Sequence, residues 1–351
     1  MKKVLTVIIP TYNMEKYIGR CLDSLILPDE QMQMLEVLII NDGSKDSSSE
    51  IAHEYQDKYP DTFKVIDKEN GNYGSCVNRG VKEAVGKYIK VLDADDWFNT
   101  EEFFKFIQQI ADVDVDFILS DFSYYSEEGI KPSKESFSLP KNTLLGFEDI
   151  INKYPTGFSM HAATYKKALI DKINYVQPEG ISYTDQIWMQ EPFAYVEKLV
   201  YLPYDIYKYT IGRIGQTMDK KEYYKNMNSH IKCSLSLMER TDKFNRGGRR
   251  KEFMTLKAIN TLRGIYDAYL FECPDLPISE LQDFDFLIKQ NYNSWYQTLE
   301  KLTIHKYIPF FYIKKWHYNS NKRLSRLYEF AYVLSNYLIR VIDSCKKIKK
   351  S

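Results

Sequence analysis

"KVLDADDW", residues 90–97, runs out of an apolar segment straight into three carboxylates, Asp93, Asp95 and Asp96. Two carboxylates about 4 Å apart repel by roughly 4 kcal/mol at an effective dielectric near 20, and burial adds to that cost. Something positive is needed there. Lys90 is one candidate, but it belongs to the strand, several residues back from the cluster. Hard divalent cations suit it better, because Mg2+ or Mn2+ takes carboxylate oxygens and keeps positions open for phosphate oxygens. The alternation Asp93, Ala94, Asp95 aims two carboxylates in related directions, and the small Ala94 leaves room between them. An acidic strand end that only caps the next helix is the alternative.

Outward from this stretch, "VLTVIIP" (4–10), "EVLIIND" (36–42), "FKVID" (63–67) and "KYIKVLD" (87–93) are short Val- and Ile-rich runs, the pattern of strands buried on both faces. Helical segments lie between them. Met14, Tyr17, Ile18, Cys21, Leu22 and Leu25 form one apolar stripe, and Ser47 with Glu50 has the spacing of a capping box. Val77, Val81, Ala84 and Val85 share a face before Gly86. This alternation predicts an α/β fold, a Rossmann-like, mostly parallel sheet with helices on both faces. Ligands of such sheets sit beyond the carboxyl ends of the strands.

Further on, Thr100 is expected to cap a helix carrying Phe103, Phe104, Ile107 and Ile110, followed by the strand "DFILSDF" (116–122). Residues 122–145 read as a hairpin or loop, 185–197 as a helix, and 198–211 as two short strands around Pro203. From about 219 the signals are helical. The expected organisation is 1–218 as one domain (1–98 nucleotide-binding, 99–218 acceptor-side) and 219–351 as a helical region.

The 351 residues, 44% of them hydrophobic, suffice for a real core. Cys21, Cys76, Cys233, Cys273 and Cys345 have no CxxC or metal-ligand spacing and read as buried thiols of a reducing compartment. The N-terminal apolar run stops at Pro10 with no cleavage site after it, so it reads as a strand and not a signal peptide. No window reads as a bilayer span, and a cytoplasmic location is expected, peripheral on the inner membrane face at most. The charge totals, 48 basic and 48 acidic, conceal an asymmetry: residues 301–351 carry 12 Lys+Arg against 2 Asp+Glu, leaving 36 and 46 before them.

The strand ends hold the polar clusters. Pro10 and Tyr12 put a rigid turn and an aromatic face at the mouth of the sheet, where a flat base can stack; a plain turn capped by Asn13 is the alternative. Asp42 ends the second strand. The turn "NGNYGSCVNRG" (70–80) offers glycines for close backbone approach and a helix face with Asn78 and Arg79, which otherwise is a surface cation. Neither GxGxxG nor GxxxxGK[ST] occurs, which disfavours a dinucleotide fold or a P-loop NTPase.

"VIIPTYN", "VLIINDGSKDSS" and "NYGSCVNRGVKEAVGKYIKVLDADDW" together resemble glycosyltransferase family 2, of GT-A fold, over about the first hundred residues. The resemblance implies inverting, metal-dependent transfer of a sugar, of hexosyltransferase type, from a nucleotide diphosphate donor such as a UDP-sugar. It implies a donor side of Pro10, Tyr12, Asp42, Asn72, Arg79, Asp93, Ala94, Asp95 and Arg213. Pro10, Tyr12 and Asp42 hold the base, Asp93 meets ribose or metal, and Asp95 ligates Mn2+ or Mg2+. Asp96 would hold Arg79 or the sugar. The general base would be Asp185 in "YTDQIW", where Thr184 replaces the family's first acid, or else Asp185 is only a helix-start carboxylate. "YTIGRIGQTMD" resembles the segment that closes over the donor, with Arg213 toward the diphosphate and Gln216 where relatives often place a histidine. Trp97, Trp188 and His161 are candidates for the acceptor cleft, with core packing preferred for the tryptophans.

Without membrane spans or a QxxRW motif, a non-processive enzyme of surface polysaccharide or glycoprotein assembly is implied, with a glycan or lipid-linked acceptor. A nucleotidyltransferase, or a catalytically silent sugar-nucleotide binding subunit, is the alternative. In the tail, aromatic residues interleave with Lys314, Lys315, Lys322, Arg323, Arg326 and Lys346–Lys350. That predicts contact with an anionic membrane surface, or a helical subdomain packed on the body or a partner. Homo-oligomerisation stays open, and the acidic body argues against nucleic acid.

Overall fold

The computed structural model describes residues 2–126, 133–212, 216, 220–304, 308–319 and 324–348, with side chains to 339. The chain divides into two compact units, Met1–Ala258 and Ile259–Ser351, further along than the position near 218 where the helical signals begin.

The first unit is built on one sheet. Its strands are β1 (Leu5–Thr11), β2 (Leu35–Asn41), β3 (Phe63–Asp67), β4 (Tyr88–Val91), β5 (Trp97–Phe98), β6 (Phe117–Tyr125), β7 (Ser133–Glu135), β8 (Leu144–Gly146), β9 (Ala163–Lys166) and β10 (Lys198–Thr210). The order along the sheet is β3-β2-β1-β4-β9-β6-β10-β5, with β7 on β6 and β8 on β10. β3, β2, β1 and β4 are parallel, as the apolar runs require, and Ile8, Leu38, Ile40, Ile66 and Ile89 pack there into a core with Cys76 of the covering helix. β9 runs antiparallel to both β4 and β6, whereas β6 and β10 are parallel. Strand order reverses at β1, whose neighbours are β2 on one side and β4 on the other, so the carboxyl ends of β1 and β4 flank the place where such sheets bind ligands.

The helices of this unit are α1 (Ile18–Asp23), α2 (Asp29–Met34), α3 (Ser48–Lys58), α4 (Asn72–Glu83), α5 (Thr100–Ala111), α6 (Phe147–Ile151), α7 (Lys167–Lys172), α8 (Asp185–Trp188), α9 (Glu191–Ala194), α10 (Lys220–Lys225) and α11 (Met227–Lys243); α12 (Gly248–Asp267) runs across the division. Several differ from the sequence pattern. The expected Ser47/Glu50 capping box is absent; Asp46 caps α3 instead, accepting from the Ser48 amide at 3.1 Å. Asn99, not Thr100, caps α5, accepting from the Glu102 amide at 3.1 Å. The segment 198–211 is one strand and not two: Pro203 falls where the pairing of β10 with β6 slips, so the missing amide leaves no gap in the ladder. The helix expected over 185–197 is broken in two at Gln190, whose buried amide donates to Thr241 Oγ1 and the Met254 carbonyl. Cys21, Cys76 and Cys233 are buried thiols and Cys273 is half-buried, none of them in a disulfide.

The second unit contains α13 (Ile278–Asn291), α14 (Asn293–Leu299), α15 (Tyr312–Tyr318) and α16 (Arg326–Ile348). At its centre His317 Nε2 lies 2.9 Å from Asp285 Oδ1 and Nδ1 lies 3.1 Å from Glu300 Oε1, while Tyr266 Oη donates to the same Asp285 oxygen. A carboxylate at each ring nitrogen favours the doubly protonated form. Burial pulls its pKa down, but the two carboxylates outweigh that and the net value lies above the ordinary 6.5. A raised folded-state pKa stabilises fully below the unfolded value and is lost as pH rises through the folded one. Melting temperature should therefore fall as pH rises above about 6.5, and His317→Gln should flatten that slope. Equal slopes in parent and variant would refute the clasp. Among the described residues, no helix is long and apolar enough to cross a membrane.

Candidate active site

β4 delivers the acidic stretch to the carboxyl edge of the sheet. Asp93 is half-buried there, and its Oδ1 accepts from Tyr73 Oη at 3.1 Å. Asp95 is buried with its carbonyl held by Thr210 Oγ1 at 2.8 Å. Asp96 is buried as well, and both its oxygens are engaged: Tyr207 Oη donates to Oδ2 at 2.6 Å and the Thr210 amide to Oδ1 at 2.7 Å. Of the two roles expected for Asp96, holding Arg79 or the sugar, that corrects the first. Arg79 lies on the surface of α4, paired with Glu83 one turn on at 3.0 Å. Burial, then the neighbouring Asp95 and Asp93, push the Asp96 carboxyl well above the usual carboxylate range. The same field reaches outward: Tyr207 and Tyr209 are raised by burial and then by Asp96 and Asp93.

Lys90 supplies no direct counter-charge. It is fully buried in β4, and its Nζ donates to the carbonyls of His161 (2.7 Å) and Ala163 (3.2 Å), with burial lowering its pKa to about 7. It thereby pins the turn ahead of β9. Because β9 runs antiparallel to β4, it begins where β4 ends, and His161 arrives beside the acids. Ligand atoms of Asp93, Asp96 and His161 lie within 4.8 Å of one another. His161 stacks on Tyr209 (4.0 Å between centroids) and its Nδ1 lies 2.6 Å from Ser159 Oγ; burial, then Lys90, lowers its pKa to about 3, so the ring is neutral. Hard oxygen donors in a strongly negative field fit a divalent cation. The group the fold gathers is Asp93, Asp96 and His161, in which the Asp96 oxygens also serve β10.

Next to this edge, an open recess of about 540 Å³ is lined by Tyr12, Asn41, Gly43, Lys45, Asp67 and Lys68 among others, past the ends of β1, β2 and β3. The Tyr12 side chain is 46% exposed, leaving ring surface for stacking; Pro10 lies within β1 just before it. Asp42, between the lining residues Asn41 and Gly43 in sequence, is buried; Lys68 pairs with it and the amides of Gly71 and Asn72 donate to its two oxygens, each at 2.9 Å. The Cys76 thiol is a further hydrogen-bond partner of Asp42, so about four acceptor sites of the carboxylate are met from within the fold. Asn72, in the left-handed region at φ 70°, turns the chain into α4.

Gly74 of "NYGSC" serves a close approach within the fold. A Cβ on Gly74 would sit 1.9 Å from the Pro178 carbonyl oxygen, so α4 packs directly on the segment that leads to Asp185. Asn78 Nδ2 donates to the Gln177 carbonyl (2.9 Å), and the Gln177 amide returns a bond to Asn78 Oδ1 (2.8 Å). Gln177 Nε2 in turn donates to Thr184 Oγ1 at 2.7 Å. The buried Thr184 is thus a neutral acceptor in a relay that fixes the start of α8. Tyr183 before it has φ 65° and stacks on His230 at 3.8 Å.

Asp185 opens α8. Burial pushes its carboxyl above the ordinary 3.8, against the opposing pull of the buried Lys257 ammonium and a 2.9 Å bond from Gln186 Nε2. Tyr73 lies within electrostatic reach of both Asp93 and Asp185, and Tyr209 within reach of all four acids. Tyr73 and Tyr209 thus both stand near the acidic strand end and near Asp185. Sequence reasoning missed Tyr73, Tyr207, Tyr209, Lys68 and Lys257; only the two-residue spacing of Tyr207 and Tyr209 on β10 was there to be read. Trp188 is core, packed on Tyr165 and Tyr175. Trp97 lies under Arg20, 3.9 Å from its ring centroid. Ala94 is buried between the acids, and Arg213 lies outside the described residues.

The comparisons agree with this geometry. Residues 6–173 match the family model described as Glycosyl transferase family 2. An uncharacterized glycosyltransferase of Mycoplasma genitalium, MG025, is 34% identical over 57% of this chain and 65% of its own length. The poly(ribitol-phosphate) beta-N-acetylglucosaminyltransferase TarS of Staphylococcus aureus is 28% identical over 61% of this chain and 36% of its own. The chain thus spans a little under two thirds of the first of these relatives. In structure, S. aureus TarS 1–349 in complex with UDP-GlcNAc aligns over 81% of this chain and 83% of that one with a TM-score of 0.55 at 21% identity, which shows a shared fold. Over residues 6–173, with the acidic end of β4 inside that span, this chain is similar to glycosyl transferase family 2.

Proposed function

We propose that the protein transfers a sugar, with inversion, from a nucleoside diphosphate donor to a hydroxyl of a glycan or lipid-linked acceptor. What most supports this is the acidic end of β4, where ligand atoms of Asp93, Asp96 and His161 lie within 4.8 Å of one another, with Tyr73 and Tyr209 in electrostatic reach of both Asp93 and Asp185. A donor lying along the carboxyl edge would stack its base at Tyr12, with Asp42 beneath, and bring its diphosphate to Asp93 and Asp95. Mn2+ or Mg2+, held by Asp93 and Asp95, would supply electrostatic stabilisation of the leaving diphosphate. Arg213 is assigned to the same diphosphate.

Asp185 would take the proton of the acceptor hydroxyl, whose oxygen forms a bond to the anomeric carbon as the bond to the diphosphate breaks and that electron pair leaves with the nucleotide. A base raised by burial holds the proton more strongly than an ordinary aspartate, which suits this step. Uridine is the preferred base, supported by the fold neighbour solved with UDP-GlcNAc. The test is nucleotide release from a panel of sugar nucleotides with manganese, with and without glycan acceptors. Release that depends on both donor and manganese is expected; no release, and no thermal stabilisation by any donor, would overturn the proposal.

A further inference from the structure

The solvent side of α16 is apolar where a surface helix is ordinarily polar. Its inward side is tied to its own unit. Tyr328 packs on Phe310 at 5.3 Å, Tyr332 stacks on Phe271 at 4.4 Å and donates to Glu272 Oε1, and Ala331 and Ser335 are buried between them. Facing out are Leu327 (60% exposed), Phe330 (65%), Val333 (66%), Leu334 (40%) and Tyr337 (63%). At 3.6 residues per turn these side chains form one stripe, with the small inward residues on the opposite side. An unburied stripe of this length signals an interaction surface.

Charge decides what covers it. Residues 301–351 hold 12 Lys+Arg against 2 Asp+Glu. A second copy would bring the same excess of positive charge against itself, whereas an anionic surface neutralises it. Apolar residues flanked by cations, on a helix of 23 residues, are what an interfacial helix needs to lie in the headgroup boundary.

We infer that α16 seats its Leu327–Phe330–Leu334–Tyr337 face on an anionic lipid bilayer, a docking that does not rest on the transfer reaction proposed above. The probe is sedimentation of the full chain with vesicles of phosphatidylglycerol and phosphatidylcholine, against vesicles of phosphatidylcholine alone. Binding should be at least about tenfold stronger to the anionic vesicles and should weaken steadily with added salt. Phe330→Asp with Tyr337→Asp, both exposed, should abolish it while leaving the melting temperature unchanged. Equal sedimentation with both vesicle types, or binding indifferent to salt, would overturn the inference without any variant. So would a concentration-dependent dimer that the double variant dissolves in the absence of vesicle binding. Donor-dependent nucleotide release is measured separately and stands or falls alone.

Discussion

Asp185→Asn is expected to lower turnover by about 10²–10⁴-fold, the usual contribution of a positioned general base, while donor binding stays close to that of the parent. Asparagine preserves shape, and its side-chain oxygen can still accept from Gln186 Nε2, so the start of α8 should survive the change. What disappears is the capacity to accept a proton. The parent offers a second readout in its pH profile. A carboxyl raised by burial becomes protonated at a higher pH than an ordinary aspartate, so kcat/KM should fall on the acid side through a pKa above 3.8. The residual activity of the variant should lack that limb. Unchanged turnover in Asp185→Asn, or an acid limb shared by both proteins, would remove Asp185 from the role of base.

Asp95→Ala should cost at least about 10²-fold in manganese-dependent donor affinity, the upper end of what losing even an outer-shell partner of a metal ligand costs. Its main chain carries the bond from Thr210, so the alanine variant keeps that tie and loses only the carboxylate. Calorimetry with manganese and a sugar nucleotide reads the effect directly. Asp96→Asn makes the informative contrast. Its oxygens serve Tyr207 and the Thr210 amide, so its loss should appear first as a lower melting temperature, with manganese-dependent heat retained. If Asp95→Ala gives the parent's heats, the carboxylate assignment fails.

Much of the first hundred residues was legible because strands buried on both faces announce themselves as Val- and Ile-rich runs, and the parallel set of β1 to β4 forms from those runs. The acidic end of β4 was legible for the same reason, as a change of polarity at a strand terminus. Other features depend on chain meeting chain at a distance. Nothing near Asp96 in sequence indicates that β10 will supply Tyr207 and Thr210, and nothing near Asp42 announces the amides of Gly71 and Asn72. Arg79 was readable in a different way, since its partner Glu83 stands four residues on, the ordinary spacing of a helix-surface pair. Pro203 misled because proline breaks a regular ladder; here the slip in register beside it removes the need for its amide.

The family match ends at residue 173, whereas the two donors to Asp96 come from residues 207 and 210 and the assigned base is residue 185. A shortened chain cut where the recognisable motif stops would strand a buried carboxylate without partners at the heart of its sheet. The smallest self-sufficient piece must therefore extend at least through Thr210, beyond the span that matches the family model.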